Sequence, residues 1–222
     1  MSGPAYIVAI DGPAGAGKST IAKGVAFALG IARVDTGAIY RTLTLLALDR
    51  GLDDEASVVS LLGELDLRFR GEQVFLGDRD VSLAIRTPKV TAAVSRISAM
   101  PGVRAGLLEL QRRLGRADPQ GALLEGRDIG TVVFPDAEVK IFLTASAEER
   151  ARRRLKDLEA AGERTSHAEV LAAIIARDAY DSSRPVAPLV PAADAVTVDS
   201  TGKSLEAVIA EICGIVRARL SR

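Results

Sequence analysis

The sequence predicts an α/β fold: a parallel β-sheet core flanked by helices and interrupted by one small antiparallel-β and helical insertion. Three observations predict it. Residues 5–10, AYIVAI, form a continuous apolar run that leads into a glycine-rich turn and then a segment of helical period, as a buried parallel strand would. Apolar strand-like runs and helix-like segments then alternate along most of the chain. Near residue 66 the period changes from the helical one to strict alternation and stays so for about twenty residues.

The elements follow in order. In STIAKGVAFALG, Ile21, Val25 and Leu29 share one helical face, and Gly30 supplies the stop. IARVDTG reads as a short second strand and a turn. AIYRTLTLLALDRG reads as a helix ended by Gly51, and residues 54–65 as another with acidic groups at its start, which suits the helix dipole. In LDLRFRGEQVFLGDRDVSLAI, the residues Leu67, Phe69, Val74, Leu76, Val81 and Leu83 alternate with polar ones, while Gly71 and Gly77 mark turns, so a three-stranded meander is expected. Thr87-Pro88 has an N-cap residue before a proline at the first helical position, opening a helix to about Ser98. Pro101 opens the next. GALLEG and EVKIFLTAS read as strands. SAEERARRRLKDLEA reads as a helix with Ser146 and Glu149 spaced as a capping box. HAEVLAAIIARDAYDSSR is a helix stopped by Pro185, DAVTVDST a last strand, and 203–220 a closing helix. The whole, 1–222, reads as one domain with an insertion at 66–98.

Composition narrows the function classes. The chain has 222 residues, 29 basic and 29 acidic, so it lacks the basic excess expected of a nucleic-acid binder. One cysteine, Cys213, excludes an internal disulfide framework and fits a reducing compartment. The N-terminus has no basic region before its short apolar run, so no signal peptide is expected. No apolar run reaches the ~18 residues of a membrane span. These readings predict a cytoplasmic protein with no membrane and no nucleic-acid partner. Balanced charge and the lack of a broad apolar stripe predict a monomer.

The chemistry begins at GPAGAGKST, residues 12–20, which fits G-x-x-x-x-G-K-[ST] in full: Gly12, Gly17, Lys18 and Ser19. Its context, strand before and helix after, is the one the motif requires. Glycines let backbone N–H groups wrap a phosphate chain, so Gly12, Pro13, Ala14, Gly15, Ala16, Gly17, Lys18, Ser19 and Thr20 form a candidate ATP-phosphate loop. Lys18 would reach the β/γ-phosphates, and the Ser19 hydroxyl would ligate the Mg²⁺ that travels with ATP. TGKS at 201–204 repeats the tail of the motif without its first glycine and reads as a turn opening the last helix.

A phosphate loop suits a kinase, a GTPase switch or a motor ATPase. No N-K-x-D stretch is present to read guanine, and arginines recur in several segments, as needed to align two phosphorylated substrates. DTGAIYR places Thr36 and Arg41 after the second strand. EGRDIGTVVF places Arg127 and Asp128 after a later one, at the strand ends where such sheets bind ligands. In RDAYDSSR, Arg177, Asp181 and Arg184 recur at i, i+4 and i+7, on one face of a helix. Small kinases of other acceptors and a slow nucleotide-gated switch remain the alternatives.

GPAGAGKST, DTGAIYR, PGVR with LLELQR, EGRDIGTVVFPDA and RDAYDSSRPVAPLVPAADAVTVDST, in this order, resemble the bacterial cytidylate kinases of the nucleoside monophosphate kinase family over nearly the whole chain. The resemblance implies a P-loop kinase fold that passes the γ-phosphoryl group of ATP to CMP or dCMP. It implies that 66–98 is the monophosphate-binding insertion and 150–168 a short lid. By resemblance, Thr36 and Arg41 lie near the monophosphate, Ser95, Arg104 and Asp128 read cytosine, Arg127 holds the monophosphate or the transferring group, and Arg177, Asp181 and Arg184 form a charged wall against the substrate, with Asp181 a candidate for the sugar hydroxyls. The basic run RARRR makes Arg150, Arg153 and Arg154 candidates for clamping ATP, with Lys18, Arg127 and Arg154 as the catalytic cations. His167 receives no role.

Overall fold

A computed structural model describes residues 6–160 and 162–221. The elements run in chain order: β1 (Ile7–Asp11), α1 (Lys18–Leu29), β2 (Ala32–Asp35), α2 (Thr36–Asp49), α3 (Glu55–Ser60), β3 (Leu67–Arg70), β4 (Gln73–Leu76), β5 (Arg79–Asp80), α4 (Pro88–Ala99), α5 (Pro101–Gly115), β6 (Ala122–Gly126), β7 (Val139–Thr144), α6 (Ala147–Ala160), α7 (His167–Ser182), β8 (Val196–Asp199) and α8 (Leu205–Leu220). Ala5 of the expected first strand and the N-terminal stretch before it lie outside the described residues, as does Ala161 within the 150–168 span.

The chain divides into two compact units, one of 1–34 with 114–222 and one of 35–113. The first unit is built on a five-stranded sheet of order β2-β6-β1-β7-β8. β1 runs parallel to both β6 and β7, and β7 runs parallel to β8. Val8, Ala9 and Ile10 are fully buried, which is why the run is apolar without alternation. Ile10, Val25, Leu123, Ile141, Leu143 and Val216 form the core between strands and helices α1 and α8. Each such side chain contributes about 1.5–3 kcal/mol on burial. α1 ends at Gly30, in left-handed conformation, whose N–H bonds the carbonyls of Ala26 and Phe27. α8 begins at Ser204, whose hydroxyl accepts from the Ala207 N–H, so TGKS is a helix-opening turn. α6 and α7 share a small apolar seam of Ala151, Val170 and Ile174.

The second unit carries the antiparallel sheet β3-β4-β5 with helices α2 to α4 and most of α5. Three details differ from the sequence reading. The helix expected over 54–65 is α only to Ser60 and tightens over Leu61–Glu64, at a glycine of low helix propensity, Gly63. The third strand of the meander covers only Arg79–Asp80. The Asp80 carboxylate accepts from both N–H (2.9 Å) and Oγ (2.6 Å) of Ser82, which turns the chain, and Leu83, expected inward, is 87% exposed. Thr87 precedes α4, but its hydroxyl donates to the Ala84 carbonyl (3.0 Å) and leaves the helix N–H groups uncapped by a side chain. In the first unit the box expected at Ser146 is half made. The Ser146 hydroxyl accepts from the Glu149 N–H (3.1 Å), whereas the Glu149 carboxylate turns to Arg152 and Arg153. The complete capping box lies at Ser166 and Glu169, opening α7.

Candidate active site

The phosphate loop leaves the C-terminal end of β1 at Asp11. A Cβ on Gly12 would stand 2.0 Å from the Leu143 carbonyl oxygen, so no other residue fits there. Gly15 and Gly17 have φ of 76° and 86°, the left-handed backbone that lets successive N–H groups converge on an anion. Pro13 and Ala16 are buried, Ala14 is half-buried, and Ser19 and Thr20 are exposed. Lys18 is buried with its ammonium donating to the carbonyls of Gly12 and Pro13, each at 2.8 Å. Burial pushes its pKa well down. Arg127 and Arg177 push the same way, while Glu125 and Asp11 oppose. An arriving polyphosphate would therefore relieve a desolvated cation whose hydrogen-bond acceptors among the described residues are neutral carbonyls.

Two acids missing from the sequence reading stand beside this loop. Glu125, at the end of β6, accepts from the Ser19 hydroxyl (2.8 Å) and from Arg33 Nε (3.1 Å). Asp11 accepts from the N–H groups of Ile129 (2.8 Å) and Gly130 (2.7 Å). It thereby anchors a wide helical turn, Ile129–Val133, whose first residue follows Asp128. Burial is the main cause that pushes Asp11 up to about 6. The only sequence signal was an acid closing an otherwise apolar strand. Its use depends on β6 lying next to β1, which no local pattern states.

The same unit brings several predicted arginines together. Arg127 Nε donates to Asp181 Oδ2 at 3.0 Å, and Arg177 Nε approaches the same oxygen at 3.9 Å. Asp181 is thus a buried acceptor held by two cations. Arg184 is buried too, but it donates to the carbonyls of Asp181 (3.2 Å) and Ala187 (2.8 Å), closing the end of α7. Asp128 is buried, and its carbonyl accepts from Val132 and Val133. On α6, Arg150 donates to the Ala14 carbonyl of the loop. Arg153 donates to the Ser200 carbonyl (2.8 Å) and hydroxyl (3.1 Å), and Arg154 is exposed. The three arginines of the basic run therefore divide. Arg150 braces the loop, Arg153 ties α6 to Ser200, and Arg154 is open to solvent.

The remaining predicted residues belong to the second unit. Thr36 is the buried first residue of α2, where the Asp35 carboxylate caps the helix through the Ala38 N–H. Arg41 donates to the Ile85 carbonyl (3.1 Å) and to Thr91 Oγ1 (2.9 Å). Arg104 is buried, donates to the Ser98 carbonyl (2.9 Å) and lies over the Tyr40 ring at 5.5 Å. Ser95 is half-buried on α4. These side chains form a polar, cationic set on α2, α4 and α5.

Ser19 and Glu125 offer a hydroxyl and a carboxylate, the hard oxygen donors that Mg²⁺ takes beside substrate phosphates. No group of three or more histidine, cysteine or acidic side chains able to hold a metal alone occurs among the described residues.

Comparison with known proteins places these features in a family. The family model described as cytidylate kinase matches residues 8–218. A cytidylate kinase of Geobacter sulfurreducens is 51% identical over 219 residues, covering 96% of this chain and 93% of the relative. A bifunctional pantoate ligase/cytidylate kinase of Synechococcus elongatus is 50% identical over 99% of this chain, which spans only 43% of that relative's length. Among solved structures, an uncharacterized protein from Eubacterium ventriosum matches with TM-score 0.53 at 11% identity over 98% of this chain and 99% of its own, a likeness of fold alone.

Proposed function

The chain belongs to the cytidylate kinase family, and on that premise we propose that it transfers the γ-phosphoryl group of ATP to CMP or dCMP, releasing ADP and CDP or dCDP. The observation that carries the geometric half of this reading is the buried Lys18 ammonium inside an intact phosphate loop, with Ser19 hydrogen-bonded to Glu125. The acceptor is itself an anionic phosphate oxygen. No strong general base is needed, and catalysis rests on alignment and charge neutralisation.

The loop N–H groups and Lys18 hold the β- and γ-phosphates, and Arg127 meets the transferring or accepting phosphate. Ser19 and Glu125 would hold Mg²⁺, which when bound neutralises phosphate charge. Arg154, exposed on α6, is the lid cation that would join on nucleotide binding. On the acceptor side, Arg41 is assigned the monophosphate with Thr36 near it, and Asp181 the sugar hydroxyls, with Arg177 and Arg184 completing a charged wall against the substrate. Ser95, Arg104 and Asp128 are assigned the base. The Asp128 carboxylate accepts from the exocyclic amine of cytosine, where uracil would present a second acceptor. The enzyme is proposed to be cytoplasmic and monomeric, without a nucleic-acid partner. No described helix is long and apolar enough to cross a membrane. Light scattering at micromolar concentration would overturn the monomer by reading twice the chain mass.

An acceptor panel tests the reaction. ADP release is followed with CMP, dCMP, UMP, AMP and shikimate at fixed ATP. CMP and dCMP are expected to exceed UMP in kcat/KM by tenfold or more. Equal turnover without any acceptor, or a preference for AMP or shikimate, rejects the assignment.

A further inference from the structure

We propose that Asp178 is a positioning residue for the phosphate loop and acts through Arg150. Arg150 is 5% exposed, and its guanidinium is spent in three directions. Nε donates to the Ala145 carbonyl (3.0 Å), one terminal nitrogen to the Ala14 carbonyl (3.1 Å), and the other to Asp178 Oδ2 (2.6 Å). Asp178 stands on α7. Its other oxygen is buried and has no hydrogen-bond partner among the described residues, so its charge is directed at Arg150 alone. Removing the Asp178 carboxylate strands the buried Arg150 charge.

The consequence falls on one peptide unit. In a trans peptide the C=O of Ala14 and the N–H of Gly15 point in opposite directions. Fixing the Ala14 oxygen towards Arg150 therefore aims the Gly15 N–H away from α6, to the side where a phosphate chain is bound. Without that bond little would stop the unit from turning over, because Gly15, at φ 76°, has no side chain to resist the change. The close fit supports the same geometry: a Cβ on Gly15 would lie 3.2 Å from Arg150 Cβ. Arg150, expected from the sequence to clamp ATP directly, supports the loop from behind instead, and Asp178 holds it there.

The proposal rests only on the nucleotide-binding half of the functional reading. Calorimetric titration with ATP·Mg²⁺, without acceptor, compares wild type, Asp178→Asn, Asp178→Glu, Arg150→Met and the Asp178→Asn/Arg150→Met pair, with CMP titrated in parallel. Asp178→Asn is expected to weaken ATP about tenfold and CMP less than twofold. Asp178→Glu restores most of the ATP affinity, and Asp178→Asn adds nothing in the Arg150→Met background. Additive losses, or equal losses for ATP and CMP, overturn the proposal. If Asp178→Asn does not fold, Arg150→Lys carries the test. Its Gly15 amide resonance should move and its ATP affinity fall together, and an unchanged affinity overturns the proposal. Wild type that binds ATP but not CMP would defeat the acceptor assignment while leaving this one standing.

Discussion

Asp11 and Lys18 are two buried ions of opposite sign at one strand end, and both stand away from their ordinary ionisation range. For Asp11 the sign is decided by burial. Its pKa rises from 3.8 to about 6, so the folded protein binds a proton more readily than the unfolded chain over that range. By linkage, the stability of wild type relative to Asp11→Asn is greatest below pH 4. It falls as pH climbs through 4 to 6, by on the order of 3 kcal/mol, and is flat above. Urea melts of both proteins at four pH values check this, and a pH-independent difference removes the buried-carboxylate account. At Asp128, replacement by Ala is expected to cut the CMP:UMP ratio of kcat/KM at least tenfold, because in the proposed reading its carboxylate accepts from the exocyclic amine where uracil has a carbonyl. Glu125→Gln should raise the Mg²⁺ concentration for half-maximal turnover severalfold, since an amide is a weaker ligand for a hard cation. An unchanged Mg²⁺ requirement would move the metal elsewhere.

Helix starts decide stability at the scale of elements. Ser166 makes both halves of a capping box with Glu169: the hydroxyl accepts from the Glu169 N–H (3.2 Å), and the Glu169 carboxylate accepts from the Ser166 N–H (2.7 Å). Ser166→Ala should therefore cost about 1 kcal/mol, more than Ser146→Ala, where only one half exists. Chemical denaturation of the two variants ranks them, and the reverse order would contradict the geometry. The Ser146 spacing was correct as a pattern. What defeated it was competition, because arginines on the same helix take the Glu149 carboxylate. The strand-to-helix turn at Gly12 is decided by the neighbouring strand β7, whose Leu143 oxygen closes the space a side chain would need.

The whole molecule is two units joined where β2 passes into α2 and within α5. The first holds the phosphate loop, Glu125 and the cluster of Arg127, Arg177 and Asp181. The second holds Arg41, Ser95 and Arg104. ATP·Mg²⁺ that binds only the folded chain should stabilise it by about 2.7 kcal/mol at a hundredfold excess over Kd. Thermal denaturation with and without the nucleotide reads this as a rise in Tm, and no rise would reject nucleotide binding at the loop.

The sequence alone determined the phosphate loop, the alternation of strands and helices, the antiparallel stretch after residue 66 and the arginines worth watching. Each is written in glycine spacing, hydrophobic period or residue type within a dozen neighbours. Only the tertiary structure decided that Glu125 meets Ser19, that Asp11 anchors the turn after Asp128, that Arg127 shares Asp181 with Arg177, and that Arg150 serves the loop's carbonyl rather than an open cleft. Glu125–Ser19, Asp11–Ile129, Arg127–Asp181 and Arg150–Ala14 join residues between 54 and 136 positions apart. Strand order and helix packing set their distances, and a buried ion takes whichever partner that packing leaves within reach.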